Sequence, residues 1–386
     1  MSAAQRVAVF LGAYFAANAV NAFLPLFLSD RGLTAGDIGH VLAAATLLKV
    51  LAGPGWGDVA DRIGRRRPVL FTAALAAAGF AAAYTQVAGY MPLLLLAAAQ
   101  GIAASAINPL ADSLTLALAR EGRLQYGPVR AVGSAAFMVA TAGAGWLLNR
   151  AGSWLVPWVL TALYGSAAAC SLALPEADTP PAAPHALAGL ALLRNRRGFR
   201  LAVACTALIQ GAHAAYYGFA ALFWRSQGIS DTVIGLLIAE GIIAEILLFA
   251  RGRRLIERLG PAGLTGCAAA ASVVRWLVMA AAPPLPVLVA IQPLHAATFA
   301  MQHLSAMQLL SRSVPPERAA TAQSLHSALG YGAPTGLMML LAGWLYARSG
   351  GLAFASMAIF GGAALLLVRP LRDVGRFSLD APRYRF

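Results

Sequence analysis

The chain has 386 residues, of which 59% are hydrophobic and only 11% charged, with a mean hydropathy of +0.69. That much apolar surface cannot be hidden inside a soluble core of ordinary shape, so the bilayer is the expected solvent. A net charge of +14 would suggest a nucleic-acid partner in a soluble protein; here the placement of the basic residues along the chain explains it better.

Runs of about 20 apolar residues suffice to cross a hydrocarbon layer about 30 Å thick. Twelve such runs follow one another, at 6–28, 35–56, 68–88, 92–119, 131–149, 153–174, 198–225, 231–250, 262–282, 284–310, 321–347 and 350–369. The runs are Ala- and Leu-rich and do not alternate, which favours helices over barrel strands. The expected fold class is an all-α membrane protein of twelve transmembrane helices. The first run lacks a small-residue cleavage site and leads directly into the second, so it reads as a retained helix.

Between the second and third runs lies a charged, glycine-punctuated loop, Gly57-Asp58-Val59-Ala60-Asp61-Arg62-Ile63-Gly64-Arg65-Arg66-Arg67. It resembles the G-x-x-x-D-R-x-G-R-R-R signature of the major facilitator superfamily, with Val59 where Leu is commoner. The resemblance implies a conformational-gating loop carried by Gly57, Asp61, Arg62, Gly64 and Arg65. If the termini are cytoplasmic, 23 arginines fall on the cytoplasmic face and four, Arg31, Arg150, Arg225 and Arg348, on the other. The positive-inside rule supports that orientation.

Ionisable residues deep in apolar runs each cost roughly 2.5–3.5 kcal/mol on insertion scales, so they are candidates for function. Lys49, the only lysine, lies in the second run; it either snorkels or faces a cavity. Asp112, in the fourth run, is either a packing acid satisfied by Ser113 or Thr115, or a carboxylate working beside the guanidinium of Arg130 at the start of the fifth. In the eighth run Glu240 and Glu245 are five apart, about 140° around a helix, so both cannot face one cavity squarely. Glu245 is the proton-site candidate; Glu240 faces either a neighbouring helix or a vestibule. Arg275, in the ninth run, suits a carboxylate ligand through its two-pronged fork.

Histidines 213, 295, 303 and 326 are open to proton relay or to plain packing. His295 and His303 lie two turns apart on the tenth run. Tyr14, Phe23, Phe27, Tyr216, Tyr217, Phe219 and Trp224 cluster in the first and seventh runs; most read as packing, while Tyr217 could wall a ring-bearing ligand. Cys170, Cys205 and Cys267 all fall in apolar runs, which argues against a disulfide framework, and nothing converges on a metal or cofactor site. No H-E-x-x-H, G-x-S-x-G or phosphate-cradling glycine loop occurs, so an enzyme is not expected.

The stretch from Pro175 to Arg200 is the longest polar interruption. The expected domains are an N-terminal six-helix bundle at 1–174, a cytoplasmic linker at 175–197, a C-terminal bundle at 198–370 and a cytoplasmic tail at 371–386. Three patterns repeat across the linker. Gly32-Leu33-Thr34 with Ile38-Gly39 recurs 196 residues later as Gly228-Ile229-Ser230 with Ile234-Gly235, and Asp61-Arg62-Ile63-Gly64 recurs as Glu257-Arg258-Leu259-Gly260. Gly145-Trp146-Leu147 recurs as Gly343-Trp344-Leu345 after 198. Such matches argue for two parallel six-helix repeats with a substrate site near midplane between them.

Gln210-Gly211-Ala212-His213-Ala214-Ala215-Tyr216-Tyr217-Gly218-Phe219, Gly241-Ile242-Ile243-Ala244-Glu245, Val274-Arg275-Trp276 and Leu294-His295 with His303-Leu304 resemble the 3-phenylpropionate transporters over nearly the whole chain. That family is similar in turn to the lactose permease group of proton symporters. Asp112 and Arg130, 18 apart, and Arg275 and His295, 20 apart, match acid–arginine and arginine–histidine pairs of that group. Where the group carries a proton-handling acid three residues after the histidine, this chain has Thr298, so its proton route must differ.

The resemblance implies a proton-coupled importer of a small organic anion, a 3-phenylpropionate-like aromatic carboxylate, in a bacterial inner membrane. Arg130, Arg275, Lys49, Asp112, Tyr217 and His295 would bind substrate, and Glu245, Asp112, His295 and Glu240 would handle the proton. A monomer with protons, the anion and the lipid bilayer as its partners is expected. Sugar or nucleoside uptake, drug or sugar export and, more remotely, a membrane-embedded enzyme or receptor are the alternatives.

Overall fold

Capping chemistry starts the first helices. Helix α1 (Ala3–Val20) opens with a reciprocal box in which the Gln5 amide donates to Ser2 Oγ at 3.2 Å and the Ser2 amide donates to Gln5 Oε1 at 2.8 Å. These bonds satisfy amides that a helix start otherwise leaves open. A 3-10 turn at Asn21–Phe23 follows, and α2 (Leu24–Asp30) resumes with Pro25 in its first turn, where the missing N–H costs nothing. The same box, from Thr34 and Asp37, opens α3 (Ala35–Ile63).

Helix α3 overruns the expected second span and takes in most of the charged segment. Gly57, Asp61 and Arg62 are helical, not loop. Asp58 and Arg62, one turn apart, form a 2.6 Å ion pair that suits a continued helix. The interruption is confined to Gly64 and Arg65: Gly64 ends the helix at φ 68°, a left-handed conformation that a side chain would penalise. Arg65 is extended and leads into α4 (Arg66–Ala83).

The computed structural model describes residues 1–177, 192–315 and 318–377, and every regular element among them is a helix or helical turn. After α4 come α5 (Tyr90–Ala104), α6 (Ile107–Arg120), α7 (Tyr126–Ala151) and α8 (Leu155–Ser171). Then follow α9 (Arg197–Gly211), α10 (His213–Ser226), α11 (Asp231–Arg251) and α12 (Arg253–Ala280), the last kinked at Gly260 before Pro261. Helix α13 (Leu285–Ile291) passes through a π-helical turn at Ala296–Met301 into α14 (Gln302–Ser313). Helix α15 (Ala319–His326) runs through a second π turn at Ser327–Gly332 into α16 (Ala333–Tyr346), and α17 (Gly350–Leu366) and α18 (Val368–Phe377) complete the order.

Nine helices among the described residues are long and apolar enough to cross a membrane. Helices lie at the expected spans 68–88, 153–174 and 198–225 but are not among these nine, for local reasons. Helix α4 counts Arg66 and Arg67 among its 18 residues, α8 has 17, and α9 and α10 part at Ala212. In two glycine pairs from the sequence repeats both members have positive φ: Gly32 and Gly228 at 84° and 79°, and Gly64 and Gly260 at 68° and 60°; in ψ the second pair differs, 8° at Gly64 against −178° at Gly260.

The chain divides into two compact units, Met1–Ala183 with Gly218–Ala239, and Pro184–Tyr217 with Glu240–Phe386. In the first, α1 packs on α7 and α8, α4 on α8, and α3 on α5. There Gly145 of α7 lets α11 approach so closely that a Cβ would stand 2.4 Å from the Asp231 carbonyl oxygen. In the second, α12 packs on α17, and α9 on α14 and the Ser327–Gly332 turn. Most of the expected linker and the end of the expected tail lie outside the described residues. Cys170, Cys205 and Cys267 are free thiols.

Candidate functional site

In the first unit, α6 carries Asp112 and α7 carries Arg130, and the two meet at 3.9 Å between Oδ1 and Nε. That is an ion pair too long to be a hydrogen bond. Asn108 Nδ2, one turn before Asp112, donates to its other oxygen at 3.5 Å. The Tyr126 hydroxyl interacts electrostatically with both members of the pair. The Arg130 guanidinium lies 4.1 Å from the centre of the Phe15 ring, and that ring packs where Gly133 has no side chain. Of the two hydroxyls that the packing reading offered to Asp112, that of Thr115 donates to the Ala111 carbonyl instead. Lys49 is exposed, without an ion pair among the described residues, and its charge acts on Tyr164.

The second unit holds the denser cluster. Arg275 of α12 is 0% exposed. Its Nη1 reaches His295 Nδ1 at 3.1 Å and Thr298 Oγ1 at 3.3 Å, and its Nη2 donates to Gln292 Oε1 at 3.3 Å. None of these three partners bears a negative charge, and the buried Nε has no hydrogen-bond partner among the described residues. The guanidinium stands over the rings of Tyr216 and Trp276, at 4.5 and 4.8 Å. Such cation–π contacts are worth about 2 kcal/mol when desolvated, which offsets only part of the cost of a buried charge.

An arginine N–H can only donate, so His295 accepts through Nδ1 and its neutral ring carries the proton on Nε2. That nitrogen faces Glu245 Oε2 at 3.7 Å. A second chain leaves Arg275 through Thr298: His213 Nδ1 donates to the Ile209 carbonyl at 3.0 Å, so its Nε2 is the acceptor for the Thr298 hydroxyl at 3.1 Å. His213 stacks on Tyr217, which keeps 41% of its surface exposed, while His295 stacks on Phe299. Glu245, His295, Arg275, Thr298 and His213 are therefore joined, with aromatic faces on several sides. Chemically, the arrangement can take an anion at the arginine and a proton at the acid.

Glu240 stands apart from this chain. It makes no ion pair or hydrogen bond among the described residues, though its charge acts on Tyr216. His303 pairs with Tyr331 at 3.0 Å, so the two histidines of the tenth run serve different clusters. Gln292 and Tyr331 carried no mark in the sequence reading. A signal was present, since Gln292, His295, Thr298, Gln302 and Ser305 recur at helical spacing in an apolar run, and all five are buried.

A third charged group sits at the ends of α2, α10 and α11 within the first unit. Arg225 forks onto Asp231, donating from Nε at 2.9 Å and from Nη2 at 2.6 Å, and reaches Asp30 from Nη1 at 3.2 Å. The Ser153 hydroxyl donates to the same Asp30 oxygen.

The family model described as MFS_1 like family matches residues 5–357. The chain is 32% identical over 357 residues to the probable 3-phenylpropionic acid transporter of Escherichia coli (strain K12), covering 89% of this chain and 92% of that protein. It is 30% identical over 338 residues to the maltose permease of Geobacillus stearothermophilus, covering 87% and 85%. Among solved structures, the nucleoside transporter NupG matches with a TM-score of 0.79 at 17% identity, covering 97% of this chain and 100% of that one.

Proposed function

Since the chain belongs to the MFS_1 like family, a multi-pass membrane transporter and not an enzyme, we propose that it is a proton symporter that imports a small aromatic carboxylate by alternating access. The observation that carries this reading is Arg275: a fully buried guanidinium whose hydrogen-bond partners are all uncharged and whose surroundings are aromatic. A buried charge with neutral neighbours calls for an anion. A carboxylate fits the guanidinium fork, and a ring fits against Tyr216, Tyr217, Trp276 and Phe299. The name of the 32% identical relative supports a 3-phenylpropionate-like substrate.

Glu245 takes the proton, and His295 links it to Arg275. An anion at Arg275 adds one negative charge and a proton on Glu245 removes one, so the pocket has the same net charge loaded and empty. That equality is the physical basis of coupling, since either charge alone costs more in a low-dielectric interior. Asp112 and Arg130 form a second acid–base pair, loose enough for a ligand carboxylate to claim the arginine; Lys49 supplies a further cation. Glu240 is held in reserve as a vestibule charge acting on Tyr216.

The proposed architecture is twelve crossing helices in two parallel six-helix repeats, divided at the 175–197 linker, in a bacterial inner membrane. The positive φ at both members of the pairs Gly32 with Gly228 and Gly64 with Gly260 supports the repeats, and the side bias of the arginines supports cytoplasmic termini. Gly57, Asp61, Arg62, Gly64 and Arg65 act as the gating segment between the second and third crossings. The protein works as a monomer.

Uptake of labelled 3-phenylpropionate into vesicles is the test. Accumulation is expected to collapse when a protonophore dissipates the gradient, and unchanged accumulation refutes coupling. A sugar substrate is the second reading, favoured by the 30% identity to a maltose permease. Excess maltose that inhibits uptake better than 3-phenylpropionate itself would select it.

A further inference from the structure

Below the arginine cluster in the second unit lies another set of buried polar groups that substrate binding does not use. Tyr331, in the π turn at Ser327–Gly332, meets His303 Nδ1 of α14 through its hydroxyl at 3.0 Å. The edge of His326 packs against the Tyr331 ring, with centroids 5.4 Å apart at 83°. His326 Nε2 meets Thr206 Oγ1 at 3.0 Å, and Gln302 Nε2 donates to the same oxygen at 3.1 Å. Thr206 and Gln302 are fully buried, His326 nearly so, and Gln302 Oε1 has no partner among the described residues.

Gln302 N–H can only donate, so the Thr206 oxygen accepts it, and the same oxygen holds His326 Nε2. His326 is thereby fixed in place and buttresses Tyr331. In the tautomer with its proton on Nε2, His303 accepts the Tyr331 hydroxyl at Nδ1. The titratable groups that act on one another here are Glu245, Tyr217, Tyr331, His303 and His326. Glu245 stands at one end, its charge acting on Tyr331. At the other end lie the arginine-bearing starts and ends of the helices. Thr206 is six residues from Arg200, His326 eight from Arg318 and His303 nine from Arg312, about 9–14 Å of helix. Both π turns border this column, and such turns are frequent where a helix is bent to a task.

We propose that Tyr331 and His303 form the exit for the proton that leaves Glu245 toward the arginine-rich face, with His326 as a positioning residue. The proposal rests on the proton-coupled reading above. A water carries the proton from the Glu245 carboxyl to the Tyr331 oxygen as the phenol passes its own proton to His303 Nδ1. The imidazolium so formed releases its Nε2 proton to water on the arginine-rich side. One proton enters, one leaves and Tyr331 ends as it began, while His303, left with its proton on Nδ1, returns to the starting tautomer by releasing that proton to water and taking one from water at Nε2.

The test compares wild type, His303→Gln and Tyr331→Phe in proteoliposomes with labelled 3-phenylpropionate, measuring gradient-driven net uptake and, separately, exchange against internal substrate. Exchange need not release the proton, so both variants are expected to keep it within about twofold while net uptake falls at least about tenfold. Retained exchange also shows that the variants fold. Net uptake that stays at the wild-type rate, or exchange that falls as far as uptake, overturns the exit. Wild-type uptake that ignores a protonophore has a different meaning: it removes the coupling itself.

Discussion

Arg275 and His295 are bound by a donor–acceptor choice that neither side chain can reverse. Arg275 Nη1 stands 3.1 Å from His295 Nδ1, and because the guanidinium has no acceptor, the neutral imidazole is forced into the tautomer that points N–H at Glu245. The proposed anion site and the proposed proton site are thereby tied through one ring. Several expected outcomes test that arrangement and the packing that supports it.

Arg275→Lys is expected to raise the KM for 3-phenylpropionate about 10- to 100-fold. A single ammonium cannot reproduce the fork, and hydrogen bonds to charged groups are worth about 1.5–3 kcal/mol. Initial rates across substrate concentration check this; an unchanged KM would place the carboxylate elsewhere, at Arg130 or Lys49.

Glu245→Gln is expected to abolish accumulation while leaving exchange largely intact. The amide keeps the shape of the acid and a contact to His295 but carries no exchangeable charge. Parallel loss of both activities would reassign Glu245 to binding.

Thr298→Val removes the hydroxyl that accepts from Arg275 and donates to His213. The two buried groups it leaves unpaired cost about 1–3 kcal/mol, and KM should rise about 5- to 100-fold. Thr298→Ser keeps the oxygen and should restore most of the affinity. A serine variant as poor as the valine would point to packing of the methyl group.

Arg225→Ala strands Asp30 and Asp231, both of which the guanidinium holds. A loss of about 1.5–3 kcal/mol follows from the missing charge-assisted bonds. Gly145→Val should also destabilise, by about 1–3 kcal/mol, because its Cβ would meet the Asp231 carbonyl. Lower melting temperatures of the purified variants in detergent are the expected readout. A melting temperature equal to wild type would show the Asp231 end of α11 to be held by other contacts.

The sequence alone determined that this chain lives in a bilayer, that it is helical, and which few ionisable residues lie deep in apolar runs. These follow from composition and run length, which no tertiary contact can overrule: there is too much apolar surface for water and too few charges to waste. It also marked Arg275, His295 and Glu245 as separate candidates; the structure brings them together through His295, 3.1 Å from Arg275 Nη1 and 3.7 Å from Glu245 Oε2. Only the tertiary structure decided the partners. Gln292 and Thr298 became ligands of Arg275, Tyr331 became the partner of His303, and most of the Gly57–Arg65 segment proved helical. In helices that are apolar all round, no contrast between faces tells which way a residue points. Breaks such as the turn at Ala212 and the π turns at Ala296–Met301 and Ser327–Gly332 then shift the register by amounts that local sequence does not encode.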